Sequence, residues 1–254
     1  MDSTADEREA IGARLRELSP WHFDHEILPG MRTGSFNRSE YDSKDHENVI
    51  LVGTHDVQKF FEKLYKNDLS GKSLLDLACN SGRYCFLAHE LGAVRTLGVE
   101  VRKLWVEQAE FVKSIKYSTA KSVEFIQQDI QDYLFNSTDR FEISIFKGIF
   151  YHLPNPIGVL ARVCDMTAET ILVDTDSSDS IPEACLEPYR ESMTQVMSGV
   201  DGLAWLPGGP AAIMPILEHH GFKFTEVGYW RRGATTGRSR GRFSVIASRS
   251  PIPT

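Results

Sequence analysis

The sequence lacks the features that mark exported, membrane-spanning and metal-binding proteins. Its first ten residues, MDSTADEREA, are too polar for a signal peptide or a membrane span, so we expect an unexported, cytoplasmic protein without membrane contact. The four cysteines, Cys79, Cys85, Cys164 and Cys185, show neither CxxC spacing nor histidine partners at zinc-site intervals. We therefore expect the chain to fold on its apolar core, without disulfides and without a metal site.

Basic residues are outnumbered as well. The chain has 28 lysines and arginines against 35 aspartates and glutamates, and its net charge of -7 disfavours broad binding to nucleic-acid backbones. The exception is the segment WRRGATTGRSRGR, which contains Arg231, Arg232, Arg238, Arg240 and Arg242. This cluster could bind the phosphates of a tRNA, bind an anionic small molecule, or form a solvated turn.

The dinucleotide fingerprint G-x-G-x-x-G is also missing. The stretch LLDLACNSGRYCF has the outline of a strand, a small-residue loop and a helix, but Ala78, Asn80 and Arg83 stand where the fingerprint has glycines. Arginine at the third position would obstruct the close packing of helix and strand that glycine permits. A nicotinamide cofactor is therefore disfavoured.

Two spacings of apolar residues alternate along the chain. Apolar residues at i, i+3, i+4 and i+7 predict helices around residues 57–64, 84–91, 104–115 and 157–164. Beside them lie the strand-like runs SLLDLA, TLGVE, VEFIQ, EISIFK and TILVD. This alternation predicts an α/β fold with a Rossmann-like, seven-stranded, mostly parallel sheet, helices on both faces and a C-terminal antiparallel hairpin.

Two helix boundaries are marked by residue type. Asn155 before Pro156 is typical of an N-cap followed by proline at the first helical position, and Gly221 is typical of a helix C-terminus. Ligands of such sheets bind at the carboxyl ends of the strands, so the site is expected just after the strand-like runs.

The loop after SLLDL resembles the first motif of class I S-adenosylmethionine-dependent methyltransferases, D-x-G-x-G-x-G. It reads Asp76-Leu-Ala78-Cys-Asn80-Ser-Gly82. Asparagine enters the left-handed backbone region more readily than other non-glycine residues, and alanine adds one methyl group, so both replacements are compatible with the motif. Glu100 ends the next strand, where a carboxylate can accept both ribose hydroxyls of an adenosine.

The resemblance implies that S-adenosyl-L-methionine is the cofactor, bound by this loop and by Glu100. It also implies that Asp129 faces the adenine amino group and that Ile130 packs on the adenine ring; Asp129 could instead cap a short helix. Lys147, at the end of the fourth strand, would lie beside the cofactor through its backbone, or its side chain would reach solvent.

LDLACNSGRYCFLAHELGA and GIFYHLPNP more narrowly resemble the branch that includes the tRNA wobble-uridine carboxymethyltransferases. The upstream WHFDHEILPGMRTG implies that Trp21, His22, Arg32 and Thr33 close the cofactor site; Trp21 could instead be a core aromatic and Arg32 a surface charge. Leu153 stands where the tRNA enzymes have an arginine. This departure argues against carrying over the RNA substrate, and plain S-adenosylmethionine is the expected cofactor.

His152 is the candidate catalytic residue, with Tyr151 beside it to form a hydrogen bond or stack. Methyl transfer is an in-line displacement, and a phenol, alcohol or acidic carbon acceptor benefits from a general base with a pKa near neutrality. His152 could be that base, position the substrate, or be structural. His219 and His220 end a predicted helix and are interpreted as structural.

Acidic and aromatic residues beyond the fifth strand are weaker candidates. Asp174 and Asp176 could bind a cationic acceptor or a metal, although a solvated acidic loop is the favoured interpretation. Trp205, Tyr229 and Trp230 would suit a planar or apolar substrate if they line the pocket, but aromatics in such segments are usually plain packing.

We predict an N-terminal helical cover of the active site over residues 1–70 and a methyltransferase domain over residues 71–254, with an insert at about 175–209. The predicted function is methyl transfer to a small-molecule acceptor, with secondary metabolism as one setting. The alternative is a tRNA wobble-uridine modifying enzyme, distinguished by salt-dependent tRNA binding. A third hypothesis is a non-catalytic binding protein of the same fold.

Overall fold

The computed structural model describes residues 4–37, 57–192, 197–231 and 240–253, without the side chains of residues 229–231 and 240. The strands in these ranges are β1 (Glu26–Leu28), β2 (Met31–Arg32), β3 (Ser73–Leu77), β4 (Arg95–Glu100), β5 (Val123–Gln127), β6 (Phe141–Lys147), β7 (Thr167–Ser178), β8 (Leu186–Arg190), β9 (Leu203–Pro207), β10 (Phe224–Arg231) and β11 (Arg240–Ser248). The α-helices are α1 (Ala5–Glu17), α2 (57–65), α3 (Arg83–Glu90), α4 (Lys103–Lys116), α5 (Ile130–Asn136), α6 (Pro156–Met166) and α7 (Met214–His219).

The central sheet has seven strands in the order β10-β11-β7-β6-β3-β4-β5. Strands β3 to β7 pair in parallel, whereas β11 runs antiparallel to both β7 and β10. The predicted mostly parallel sheet and C-terminal antiparallel hairpin are therefore confirmed. Two small antiparallel sheets, β1-β2 and β8-β9, lie outside the central one.

Buried residues form a separate core on each face of the sheet. Leu75 and Leu77 of β3 belong to one core and Leu74 to the other, as the alternation of side chains along a strand requires. Leu15 of α1 and Phe60 of α2 pack in the core that also contains Leu74. The described N-terminal residues thus share a core with the sheet, while their role as a cover of the site stays a prediction.

The fifth strand of the sheet is longer than the run TILVD predicted. β7 continues to Ser178 because β11 pairs with it along its length, with Asp174 opposite Ser244 and Ser178 opposite Arg240. Residues 175–178, assigned from the sequence to the insert, are therefore part of the sheet. The described remainder of the insert contains the β8-β9 pair.

Both predicted helix boundaries are confirmed. The side chain of Asn155 accepts a hydrogen bond from the backbone N–H of Gly158 at 3.2 Å, and Pro156 is the first residue of α6. Gly221 follows the end of α7 with a φ of +89°, in the left-handed region that favours glycine. Within the described ranges, we find no helix that combines the length and the apolar character needed to cross a membrane.

Candidate active site

The loop between β3 and α3 turns through three residues with left-handed backbone. Ala78, Asn80 and Gly82 have φ values of +60°, +52° and +78°. The N–H groups of Ala78 and Cys79 both donate to the carbonyl of Val99 in β4, at 2.9 and 3.2 Å. Asn80 therefore adopts the left-handed conformation that the motif's glycine would have and that asparagine tolerates. Left-handed non-glycine residues cost free energy and concentrate at functional sites.

Glycine is required twice where this loop packs against neighbouring strands. A Cβ at Gly82 would overlap the ring of Phe125 in β5, and a Cβ at Gly98 in β4 would lie 2.6 Å from the Sγ of Cys79. The loop is consequently pressed against β4 and β5, and its backbone is fixed relative to the ends of those strands.

The side chain of Asn80 is buried with one hydrogen-bonding group unused. Its Oδ1 accepts a bond from the N–H of Ser81 at 2.7 Å. Within the described part of the chain, its Nδ2 has no hydrogen-bond partner. Leaving a buried donor unpaired costs about 1–3 kcal/mol, so this group is suited to an acceptor atom on a bound ligand.

Two carboxylates are buried beside the loop. Glu100 accepts bonds from the N–H groups of Asn80 and Arg102, at 3.1 and 3.0 Å, and burial raises the pKa of its carboxyl group. Burial, and then the charge of Glu100, raise the pKa of Asp76 well above its ordinary value. Among the described residues, neither carboxylate forms a salt bridge, so a ligand that donates hydrogen bonds or carries positive charge would stabilise both.

The end of β5 is joined to the end of β4. The N–H of Gln128 donates to the carbonyl of Glu100 at 3.0 Å, and Oδ1 of Asp129 caps α5 by accepting the N–H of Gln131 at 2.7 Å. Ile130 is buried. Asp129 thus has the capping role that the sequence left open, and the adenine contacts of Asp129 and Ile130 stay predictions.

The acidic residues of β7 are buried and paired, so the expectation of a solvated acidic loop is wrong. Asp174 lies 3.0 Å from Nζ of Lys147 and accepts Nε of Arg242 at 2.7 Å, while Arg242 also pairs with Asp176 at 2.8 Å. Burial alone would raise the pKa of Asp174, but Arg242 and Lys147 hold it below its ordinary value. Two positive and two negative groups therefore neutralise one another between the end of β6, the C-terminal half of β7 and β11.

Tyr151 and His152 follow β6, in a short 3-10 turn at the same edge of the sheet. Their ring centroids are 4.1 Å apart, and Arg242 lies over the Tyr151 ring at 5.9 Å. Burial raises the pKa of Tyr151 to about 12, so this phenol keeps its proton at neutral pH. Nδ1 of His152 lies 2.7 Å from Oε2 of Glu191, a residue that the sequence analysis did not single out.

The described part of the insert is fastened to the segment after β6. The hydroxyl of Tyr189 donates to the carbonyl of Tyr151, and the indole N–H of Trp205 donates to the carbonyl of Pro154, both at 3.0 Å. Arg102, at the start of α4, donates to the carbonyl of Ser198. The insert therefore spans from the end of β6 to the end of β4. Trp205 anchors it, and Tyr229 and Trp230 have no described side chains.

The N-terminal segment reaches the loop through His25, which the sequence analysis missed. Nε2 of His25 lies 2.9 Å from the hydroxyl of Ser81, and burial lowers the pKa of His25 to about 3, so its ring is neutral. Trp21 is buried and donates to the carbonyl of Leu15, and half-exposed Arg32 pairs with Asp24.

The other two N-terminal candidates have contacts within their own segment. Thr33 is buried and donates to the carbonyl of Phe23 at 2.8 Å, and the rings of His22 and Phe23 are in contact. The predicted closing roles of these residues, and of Trp21 and Arg32, stay predictions. No local pattern marks His25 or Glu191, whose partners lie far away in the sequence.

Comparison with known proteins identifies the family to which the chain belongs. The model of the methyltransferase domain family matches residues 68–221. The tRNA U34 carboxymethyltransferase of Aliarcobacter butzleri is 28% identical over 237 residues, which cover 87% of this chain and 65% of the relative. The enzyme of the same name from Alteromonas mediterranea is 27% identical over 43% of this chain and 36% of its own length. The chain thus spans less than two thirds of these relatives.

Solved structures show the same fold at low identity. The N-terminal domain of EvdMO1, crystallised in the presence of SAH and D-fucose, is 21% identical with a TM-score of 0.72, covering 95% of this chain and 97% of that one. The SAM-bound magnesium protoporphyrin IX methyltransferase of Synechocystis is 16% identical with a TM-score of 0.55, covering 82% and 85%. These likenesses confirm the predicted fold, and the family match shows that the chain belongs to the methyltransferase domain family.

Proposed function

We propose that this chain transfers the methyl group of S-adenosylmethionine to a small-molecule acceptor. The observation that carries the proposal is the edge of the sheet where β3, β4 and β6 end. There the buried Nδ2 of Asn80, which has no hydrogen-bond partner among the described residues, and the buried carboxylates of Asp76 and Glu100 adjoin one loop. His152 follows the neighbouring strand. A donor, two acceptors and a candidate base thus share the edge where such sheets bind ligands.

The residues present fit the cofactor. In this proposal the carboxylate of Glu100 accepts the ribose hydroxyls, Nδ2 of Asn80 donates to an acceptor atom of the cofactor, and Asp76 places negative charge near its cationic part. Asp129 and Ile130 adjoin the adenine, and the backbone of Lys147 lies at the neighbouring strand end. Bound S-adenosylmethionine supplies an activated methyl group as a sulfonium.

In the proposed reaction, the residues of the chain align the acceptor and accept its proton. Displacement at a methyl group needs the acceptor's lone pair close to, and in line with, the carbon. For a hydroxyl acceptor, His152 takes the proton as the new bond forms. General-base catalysis contributes roughly 10²- to 10⁴-fold, so His152→Ala should lower turnover by that factor with little change in the affinity for S-adenosylhomocysteine.

A small acceptor is favoured over tRNA by the charges of the described residues. Arg242 belongs to the arginine-rich segment considered for phosphate binding, but Asp174 and Asp176 already neutralise it. Of the other arginines in that segment, Arg232 and Arg238 lie outside the described residues, and Arg231 and Arg240 have no described side chains. The net charge of -7 also opposes binding to a polyanion.

The second candidate is modification of a tRNA wobble uridine. It is favoured by the names of the relatives, the tRNA U34 carboxymethyltransferases, one of which aligns over 87% of this chain. In this case the acceptor pocket would have to admit a nucleotide, and binding would weaken steeply with added salt.

Methyl-transfer assays with two panels of acceptors test the proposal. S-adenosylmethionine with a radiolabelled methyl group is incubated with the protein and either hydroxylated and aromatic small molecules, D-fucose among them, or tRNA lacking wobble modification. We expect label in a small molecule, lost in His152→Ala, and none in tRNA. Label in tRNA, with salt-sensitive binding, would overturn the small-molecule proposal in favour of the second candidate.

A further inference from the structure

The insert supplies a carboxylate to His152. Oε2 of Glu191 lies 2.7 Å from Nδ1 of His152, and the same oxygen accepts the backbone N–H of Gly199 at 2.9 Å. Both side chains are largely shielded, His152 with 11% and Glu191 with 14% of their area exposed. The oxygens of an ionised carboxylate can only accept hydrogen bonds, so opposite ionised Glu191 the imidazole donates through Nδ1.

The packing around this contact leaves little freedom. A Cβ at Gly199 would lie 2.7 Å from the carbonyl oxygen of His152 and 3.0 Å from the Glu191 carboxylate, so only glycine permits the approach. The bonds from Tyr189 to Tyr151 and from Trp205 to Pro154 fasten the insert on both sides of His152. Glu191 is thus held against His152 by contacts that do not involve either of the two side chains.

We infer that Glu191 is a positioning residue that fixes His152 with the proton on Nδ1 and the lone pair on Nε2. The inference rests on the proposed function, because it assigns Nε2 as the atom that receives the acceptor's proton. As the oxygen–methyl bond forms and the methyl–sulfur bond breaks, that proton moves to Nε2, and the carboxylate of Glu191 stabilises the resulting imidazolium. Because Glu191 holds the ring at Nδ1, Nε2 points towards the acceptor in a single orientation.

The tautomer can be measured without knowing the acceptor. Long-range ¹H–¹⁵N spectra of protein labelled with ¹⁵N-histidine report which ring nitrogen carries the proton, and the His152→Asn variant identifies the signals of His152. We expect His152 to carry its proton on Nδ1 in the wild type and to lose this preference in Glu191→Ala. Glu187→Ala is the matched control, because Glu187 lies in the same insert but bonds to Ser178 and Ser180.

Kinetics separate positioning from a merely structural role. With an acceptor from the small-molecule panel, Glu191→Ala and Glu191→Gln should lower kcat by roughly 10- to 100-fold, as when a carboxylate that orients a metal-bound histidine is removed. KM for S-adenosylmethionine and the affinity for S-adenosylhomocysteine should not change, and Glu187→Ala should retain its kcat.

Two results would overturn the inference. One is a proton on Nε2 of His152 in the wild type, or unchanged His152 signals in Glu191→Ala. The other is a normal kcat in Glu191→Ala. If neither acceptor panel is methylated, the proposed function fails by itself, and the spectra still decide whether Glu191 fixes the ring.

Discussion

Asp76 and Glu100 are both buried, and among the described residues neither forms a salt bridge, although the charge of Arg102 partly offsets the effect of burial on the pKa of Glu100. Removing an ionised carboxylate from water without compensation is costly, and the charge of Glu100 adds to the cost for Asp76. Asp76 therefore keeps its proton in the folded protein to a higher pH than in the unfolded chain. A ligand that stabilises the ionised form would reverse this shift.

The pH dependence of stability follows from the raised pKa of Asp76. The folded state binds more protons here than the unfolded chain, so this group's contribution to stability is lost as the pH rises from about 3.8, the unfolded value, through the folded pKa. The stability of Asp76→Asn relative to the wild type should increase over the same range. Urea denaturation at a series of pH values measures this difference.

Asp68→Asn is the matched control with the opposite sign. Hydrogen bonds from Ser70 lower the pKa of Asp68, an exposed residue that precedes β3. The ionised carboxylate of Asp68 stabilises the folded wild type, and this stabilisation increases as the pH rises and Asp68 loses its proton. The stability of Asp68→Asn relative to the wild type should therefore decrease with rising pH. The same pH trend in both variants would contradict the account of Asp76.

Sequence reasoning succeeded at residues whose role depends on local backbone shape. The left-handed conformation of Asn80 follows from the tolerance of asparagine for positive φ. His25 and Glu191 were missed, because their contacts with Ser81 and His152 span 56 and 39 residues of sequence. Such pairs are determined by tertiary packing, and no nearby spacing indicates them.

At the scale of elements, the junction between β3 and α3 combines backbone shape with close packing. Gly82 caps the start of α3 with a φ of +78°, and a side chain at this position would meet Phe125 of β5. Gly71, just before β3, has a φ of +75°, but a Cβ added there would have no neighbouring atom within 4 Å. The two glycines therefore share a conformation and differ in packing.

Alanine substitutions at these glycines separate the cost of the left-handed backbone from the cost of overpacking. Gly71→Ala should destabilise the fold by about 1–2 kcal/mol, the cost of placing an L-residue in the left-handed region. Gly82→Ala should add about 1–3 kcal/mol for overpacking against Phe125 and weaken cofactor binding. Chemical denaturation compares the free energies of unfolding, and equal effects of the two substitutions would contradict the packing argument.

The pairing of β7 with β11 depends on a buried ionic cluster that the sequence did not predict. The run TILVD predicted the centre of β7, whereas Asp174 and Asp176 were expected in a solvated loop. Their burial is stabilised by Arg242, which stands opposite Asp176 on β11. A charge pattern along one strand cannot reveal a partner that a distant strand provides.

Removal of Arg242 should be costly. Arg242→Met leaves Asp174 with Lys147 alone and Asp176 without its described partner, so we expect a loss of about 3–5 kcal/mol in the free energy of unfolding. Arg140→Met, at an exposed position, is the control and should have almost no effect. Thermal and urea denaturation measure both variants, and a loss below about 1 kcal/mol for Arg242→Met would show that the cluster contributes little to stability.

For the whole molecule, the order of elements was predictable because alternating strands and helices permit few topologies. The sheet therefore places the ends of β3, β4, β5 and β6 together as expected. What could not be predicted is how the described N-terminal segment and the insert meet this edge, His25 at the loop after β3 and Glu191 at the turn after β6. Both contacts join segments that are far apart in the sequence, and no spacing within either segment indicates its partner.

The central claim, that the loop after β3 holds S-adenosylmethionine, is tested most directly by calorimetric titration with S-adenosylhomocysteine, with NAD as the comparison. We predict micromolar binding of S-adenosylhomocysteine and no binding of NAD. Glu100→Ala should weaken that binding by about 1–3 kcal/mol, and Glu124→Ala, at an exposed position on β5, should not. Absence of S-adenosylhomocysteine binding to the folded wild type, or equal affinity in Glu100→Ala, would contradict this account of the site.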